Sequence, residues 1–319
     1  MKRSYSGYLY IALCTVIFSL VEVALKMVAG VFHPIQITAL RFFIGGVVLL
    51  PFAFRSLRAH NAALQPRDIR FFARLGFLFV FVTMPIYQMS VVYAKASVAA
   101  IIFSCNPIFV TVFAYLLLHE PIRRNHIAAL VIELVAVFII IDPLHTAVNG
   151  PGALCAITAA LLFSVYSVLG KRRAAQFGGI AVTCFCSLFG SMELMLFLLL
   201  GRTEPVGKLL SALRLELFRD VPLFIGIPVS ALPWLLYIGA VSTGLGFVCH
   251  MLAMEKTSAQ EASLIFFLKP MLAPLFAWAL LKERPTPNIL LGIVCFLIGS
   301  GVAVIPGLVE QRKRRSSSP

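Results

Sequence analysis

Ten apolar stretches of about 20 residues each take up most of the chain. They lie near 8–28, 34–54, 71–93, 98–118, 123–142, 151–169, 179–200, 229–253, 260–281 and 287–305. Each is long enough to cross the hydrocarbon core of a bilayer as a helix. A soluble fold cannot absorb them: of the 319 residues 60% are hydrophobic and only 13% are charged, where soluble domains carry roughly 25% charged residues. A lipid-facing surface removes that conflict. In lipid the backbone must satisfy its own polar groups, which favours helices. The expected fold class is therefore all-α integral membrane, with ten transmembrane helices.

Turn-forming residues separate the stretches: His33-Pro34, Gln65-Pro66-Arg67-Asp68, Glu120-Pro121, Asp142-Pro143, Asn149-Gly150-Pro151-Gly152 and Arg284-Pro285-Thr286-Pro287. The segment 201–228 reads as a long loop with a surface helix. Lys2 and Arg3 precede an apolar run from Tyr8 to Val28, longer than a signal-peptide core and followed by no small-residue cleavage site. It is expected to stay as the first helix. All seven cysteines lie inside apolar runs and show no CxxC spacing, so they read as packing residues.

The net charge of +14 does not signal nucleic-acid binding, because the basic residues are scattered among apolar runs. It fits basic loops on the cytoplasmic side. With the N-terminus inside, seventeen Lys and Arg residues fall inside, seven fall outside and three lie within or at the edge of spans. Both termini are thus expected in the cytoplasm, and a bacterial cytoplasmic (inner) membrane is the expected location. The sequence is compatible with a homodimer.

The chain also repeats itself. Gly7, Leu9, Phe18, Ser19, Val23 and Lys26 recur 145 residues later as Gly152, Leu154, Phe163, Ser164, Val168 and Lys171. At an offset of 163, Ile102-Phe103, Pro107 and Glu120 recur as Ile265-Phe266, Pro270 and Glu283. Residues 1–145 and 146–308 are the two expected units, and 309–319 is expected to be a disordered basic cytoplasmic tail. Five crossings per unit is an odd number, so the halves are expected to insert with opposite orientation, as in many secondary transporters.

Phe18-Ser19 with Lys26, Ala39-Leu40-Arg41-Phe42, Ser97 through Asn106-Pro107-Ile108-Phe109, and Leu118-His119-Glu120 resemble the first EamA unit of the drug/metabolite transporter superfamily. Lys256-Thr257-Ser258-Ala259, Leu268-Lys269-Pro270 and Leu281-Lys282-Glu283-Arg284 resemble the second. The resemblance spans nearly the whole chain. It implies two inverted five-helix EamA repeats and a carrier of small metabolites, often moving them outward. It also implies a peripheral fifth helix. Many members carry Trp-Gly where this chain has Phe18-Ser19, and Glu22 stands where most are uncharged.

The residues expected to carry chemistry lie mid-span. Asn106-Pro107 and Lys269-Pro270 occupy equivalent places in the two halves. A proline frees the carbonyl four residues back, here Phe103 and Phe266, and makes Pro107 and Pro270 candidate hinges. Lys269 is costly at membrane depth and is expected to face a cavity or a carboxylate. Glu22 and Lys26 share a helix face, and burial of a carboxylate favours its protonated form. Glu22 is therefore a candidate for both substrate binding and proton coupling, with Glu193 and Glu133 as further coupling candidates. His250, Asn106, Gln88 and Tyr166 complete the expected substrate-binding set, and Trp234 and Tyr237 are further candidates for lining the pathway.

Enzyme motifs fail. His119-Glu120-Pro121-Ile122-Arg123 ends in Arg where a zinc protease needs His, and Gly201 to Lys208 lacks phosphate-loop spacing. No cofactor and no metal site is expected. The expected function is secondary active transport of a small amphipathic, amino-acid-like metabolite by alternating access, in the direction of efflux. A phosphorylated or nucleotide-like anion, or an uptake carrier, is the alternative. A membrane enzyme or a receptor ranks behind both.

Overall fold

A computed structural model of the chain describes residues 5–28, 30–93, 99, 102–122, 124–142, 150–224, 226–282 and 286–316. Eleven helices follow one another in these residues: α1 (Tyr5–Met27), α2 (Pro34–Ala59), α3 (Pro66–Tyr93), α4 (Asn106–Leu118), α5 (Arg124–Ile141), α6 (Gly150–Phe177), α7 (Gly179–Leu200), α8 (Glu204–Ala212), α9 (Val229–Lys256), α10 (Ala259–Leu281) and α11 (Pro287–Ser316). No strand occurs among the described residues. Seven of these helices (α1, α2, α3, α6, α7, α9 and α10) contain segments long and apolar enough to cross a membrane. Shorter apolar helical segments form α4, Ile127–Ile140 of α5 and Pro287–Gly299 of α11.

Several turn signals in the sequence prove to be helix caps. The ring Nδ1 of His33 accepts the Ile35 N–H at 3.3 Å, and the Gln36 side chain accepts the His33 N–H at 3.1 Å. Together they close a capping box over α2, with Pro34 at its first position. At α3 the Asp68 carboxylate accepts the Gln65 N–H at 3.1 Å, so the helix starts at Pro66 rather than at 71. Lys171, Arg172 and Arg173 ride on the last turns of α6, which runs on to Phe177. Gly178 then turns the chain into α7 with φ +82°, a conformation suited to glycine. α11 continues through Ser316, over residues 309–316 where no regular structure is expected. Its Glu, Gln, Lys and Arg are good helix formers. The segment 201–228 contains the nine-residue α8, and its Leu223 carbonyl accepts a bond from the Gln36 side chain at 3.3 Å.

The packing has a two-fold pattern. α1 packs on α9 and α10, and α6 packs on α3 and α4. α2 packs against the middle of α9, and α7 against the middle of α3. α2 meets α7, α4 meets α10 and α5 meets α11. Exchanging the first five spans for their counterparts in the second unit leaves this scheme unchanged. The main buried cluster joins α1, α2, α3, α4, α6, α7, α9 and α10, while α5 and α11 form a smaller one with Leu264.

Two features recur at equivalent positions. α3 widens into a π-helical segment at Phe77–Thr83, and α9 does so at Tyr237–Leu245. In α3 the Met84 N–H reaches the carbonyl of Phe79, and the Thr83 hydroxyl donates to that of Leu78 at 2.6 Å. One extra residue in a turn rotates the remainder of the helix by about 100°, and such insertions cluster at functional sites. Beside each segment two helices touch at glycines. A Cβ on Gly190 of α7 would collide with the Gly76 carbonyl of α3, and one on Gly45 of α2 would sit 2.9 Å from the Gly239 carbonyl of α9. Gly45 and Gly190 are 145 apart, and Gly76 and Gly239 are 163 apart. Without a hydrophobic force between helices in lipid, such close approach is a main source of their attraction.

Candidate functional site

The two repeats meet on a cage of aromatic rings. Phe163 of α6 is its centre, with ring centroids of Phe103 at 5.6 Å, Phe266 at 5.2 Å, Tyr166 at 5.7 Å and His250 at 5.7 Å. Tyr166 stacks on Phe79 of α3 at 3.8 Å. Phe18 of α1, the counterpart of Phe163, packs on Phe266 at 6.1 Å. His250 and Tyr87 are also counterparts, at an offset of 163. Tyr87 packs on Phe103 at 4.8 Å as His250 packs on Phe266 at 5.5 Å. Each edge-to-face pair adds about 0.5–1.5 kcal/mol beyond the area it buries.

Polar atoms are set into this apolar cage. The Asn106 amide donates to the Ser164 hydroxyl at 2.6 Å and to the Ala160 carbonyl at 2.9 Å. Its Oδ1 has no protein hydrogen-bond partner, nor have the Tyr166 hydroxyl, the Ser167 hydroxyl and His250 Nδ1. All four residues are buried. A buried polar group left unpaired costs about 1–3 kcal/mol, and folded proteins keep few of them. Four on the α4, α6 and α9 elements that meet here add up to several kcal/mol, enough to call for polar guests, whether water or substrate. Asn106 offers an acceptor, Tyr166 a donor or acceptor, and His250 either one according to its tautomer.

Proline and lysine complete the centre. Pro107 lies in the first turn of α4, after Cys105 as its N-cap, so the fourth helix restarts there instead of bending through it. A proline in the first turn forfeits only an N–H that has no helical partner. Pro270 lies inside the continuous α10. The preceding Lys269 is within electrostatic reach of Cys14 of α1, whose thiol donates to the Gly246 carbonyl of α9 at 3.3 Å.

Asn106, Tyr166 and His250 thus come together at Phe163. Gln88 lies elsewhere, on the α2 side, and donates to the Thr38 hydroxyl at 3.2 Å. Near it Arg41 is buried against the Phe42 ring at 4.8 Å and donates to the Met84 sulfur at 3.6 Å. Glu193 lies on α7 with one carboxylate oxygen buried. Trp234 and Tyr237 sit near the start of α9, Trp234 exposed. The side chains of Glu22, Lys26 and Glu133 lie outside the described residues. Sequence reasoning passed over Ser164, Ser167 and the ring cage. The 145-residue offset pointed to all of them, since Ser167 stands where the first half has Glu22. No cluster of three His, Cys, Asp or Glu side chains occurs among the described residues.

An all-helical membrane protein of two repeats, with a polar-studded centre where the repeats meet, has the form of a carrier. The chain belongs to the EamA-like transporter family, which it matches twice, over residues 5–142 and 150–305. It is 33% identical over 302 residues to an uncharacterized transporter of Clostridium kluyveri, covering 92% of this chain and 91% of that one. It is 24% identical over 255 residues to a "probable terminal-alkyne amino-acid exporter" of Streptantibioticus cattleyicolor, covering 80% of this chain and 79% of the relative. A solved structure superposes with a TM-score of 0.73 at 20% identity, over 94% of this chain and 97% of the other, a likeness of fold.

Proposed function

We propose that the protein is a secondary carrier that exports a small amphipathic, amino-acid-like metabolite by alternating access. It crosses the bacterial cytoplasmic membrane ten times, in two oppositely inserted five-helix repeats over 1–145 and 146–308. Its termini and the basic ends of α2, α3 and α6 face the cytoplasm. α4, α5 and α11 complete the ten crossings beside the seven longer helices.

One observation carries this reading: buried polar atoms without protein partners, on Asn106, Tyr166, Ser167 and His250, belong to the helices that carry the aromatic cage where the repeats meet. An amphipathic zwitterion suits such a site. Its apolar part lies against Phe163, Phe103 and Phe266, its amine donates to Asn106 Oδ1, and its carboxylate is drawn to Lys269. The restart of α4 at Pro107 and the proline in α10 give each half a place to bend. A carboxylate set within a span, Glu193, Glu22 or Glu133, is the source of proton coupling. The exporter named among the relatives supports the amino-acid class.

Purified protein in liposomes, loaded with a panel of labelled amino acids and driven by a proton gradient, tests the proposal. Gradient-dependent flux of an apolar or aromatic amino acid is expected. Absence of flux for the whole panel overturns the substrate class. The cations Arg41 and Lys269, set within spans, favour one alternative, a phosphorylated or nucleotide-like anion, and the panel includes such anions to decide.

A further inference from the structure

At the basic end of the molecule a cluster of polar contacts joins both repeats. Past the end of α4 the chain turns through His119, at φ +55°, and presents Glu120. The Glu120 carboxylate accepts the Lys171 ammonium of α6 at 2.6 Å. Its second oxygen accepts the Ala259 N–H, the first of α10, at 3.0 Å. Lys171 also donates to the Thr257 carbonyl, between α9 and α10, at 3.2 Å. The Gln260 side chain donates to the Pro121 carbonyl at 3.4 Å. The ion pair is shielded, its side chains 13% and 18% exposed.

Two residues further along α6, on the same end, Arg173 lies 3.5 Å from Asp68, the residue that caps α3, and over the Phe71 ring at 4.7 Å. The end of α6 thus ties α3, the α4–α5 turn and the α9–α10 turn together. These elements adjoin the ring cage: Phe79 lies on α3, Phe103 just before α4, His250 on α9 and Phe266 on α10. A carboxylate at a helix N-terminus is favoured by the helix dipole, and one shared with an ammonium is a strong charge-assisted contact.

We propose that Glu120, Lys171 and the N-terminus of α10 form the gate on the basic face, and that releasing Glu120 from α10 opens the centre to that side. Resting on the carrier reading above, this adds the element that sets which side is open. The role of Glu120 is positional: it holds α10 and touches no substrate.

A membrane-impermeant maleimide reads the gate without any substrate. Cys14 and Cys249 are buried, on α1 and α9, and peptide mapping reports their labelling separately. In inverted vesicles, Glu120→Gln and Lys171→Met should each raise the Cys14 labelling rate about tenfold or more, the population shift expected when a charge-assisted hydrogen bond is lost. Lys208→Met, in an exposed pair on α8, should leave it unchanged. Should a variant fail to insert, Glu120→Cys with Ala259→Cys, bridged by a short bis-maleimide, makes the opposite test: the basic side stays closed and flux stops. Unchanged labelling in correctly inserted variants, or a bridged protein that still labels from the basic side, overturns the gate. A wild type that transports nothing, with variants that still label faster, discards the carrier and keeps the gate. Flux with labelling insensitive to the clasp does the reverse.

Discussion

Asn106 donates both amide hydrogens across the repeat interface, to the Ser164 hydroxyl at 2.6 Å and to the Ala160 carbonyl at 2.9 Å, while its own Oδ1 is buried without a protein partner. Structure and proposed function divide cleanly in this one side chain. The donors fasten the first turn of α4 to the middle of α6. The acceptor is the part that the proposed function gives to the substrate. Asn106→Asp keeps an acceptor but loses the donors, whereas Asn106→Ala loses both. Interhelical hydrogen bonds in lipid contribute about 0.6 kcal/mol on average, up to about 1.7, so thermal stability in detergent should fall only modestly for either variant. Transport by Asn106→Ala should fall about tenfold or more, the effect of losing one well-made hydrogen bond to a charged group. Wild-type flux from Asn106→Ala would remove the residue from the substrate path.

The glycine crossings should govern stability more than any polar contact does. Gly190 and Gly76 meet backbone to backbone, and a Cβ on Gly190 would strike the Gly76 carbonyl and lie 2.8 Å from the Val80 Cβ. Backbone cannot yield as a flexible side chain does. Overpacking typically costs about 1–3 kcal/mol, and here it also pushes α7 away from the π-helical part of α3. Gly190→Ala should therefore lower the unfolding temperature in detergent more than Asn106→Ala. Gly150→Ala, with open space around the added methyl, is the control.

The all-helical membrane class and the two-unit repeat were readable from apolar length and from the two repeat offsets, and seven of the ten expected spans lie in helices long and apolar enough to cross a membrane. The breaks between spans misled where a turn residue caps a helix: Gln65 to Asp68 starts α3 rather than ending a linker. The π-helical segments left no local mark, since one inserted residue alters neither composition nor length. The glycines that flank them did leave one, because Gly45 and Gly76 recur at the repeat offsets. The centre was half readable. Asn106, Tyr166 and His250 stood out as polar residues in apolar runs, but Ser164 and Ser167 did not. A hydroxyl can bond within its own helix, as Ser164 does to Ala160 at 2.7 Å, so serine in a span is unremarkable by sequence.

His33 makes the cap of α2 sensitive to acid. Burial pushes its imidazole below the ordinary histidine value of 6.5. The neutral ring is the form that fits, since Nδ1 accepts the Ile35 N–H. A depressed folded value means that the stabilisation is complete above about pH 6.5 and is lost as pH falls through the folded value. The loss should loosen the α2 N-terminus, where neighbouring Gln36 also holds Leu223 of the 201–228 loop. Wild-type protein should lose thermal stability as pH falls below about 6.5 relative to His33→Asn, whose amide caps at every pH. Parallel pH curves for the two would show that the cap does not titrate.

Lys269 gives the sharpest test of the proposed centre. Its counterpart in the first half is Asn106, a neutral residue in the same place before a proline, so packing at this position does not require a charge. A cation at membrane depth costs about 2.5–3.5 kcal/mol on insertion scales. Lys269→Ala should insert and pack normally, with equal or higher thermal stability, yet transport at less than about a tenth of the wild-type rate. Lys269→Arg should restore part of the flux, because the charge survives while the single-point ammonium becomes a planar fork. If Lys269→Ala inserts normally and transports at the wild-type rate, Lys269 has no part in binding. If it unfolds instead, and Lys269→Met restores stability without restoring flux, packing and transport are separated and the charge belongs to the substrate.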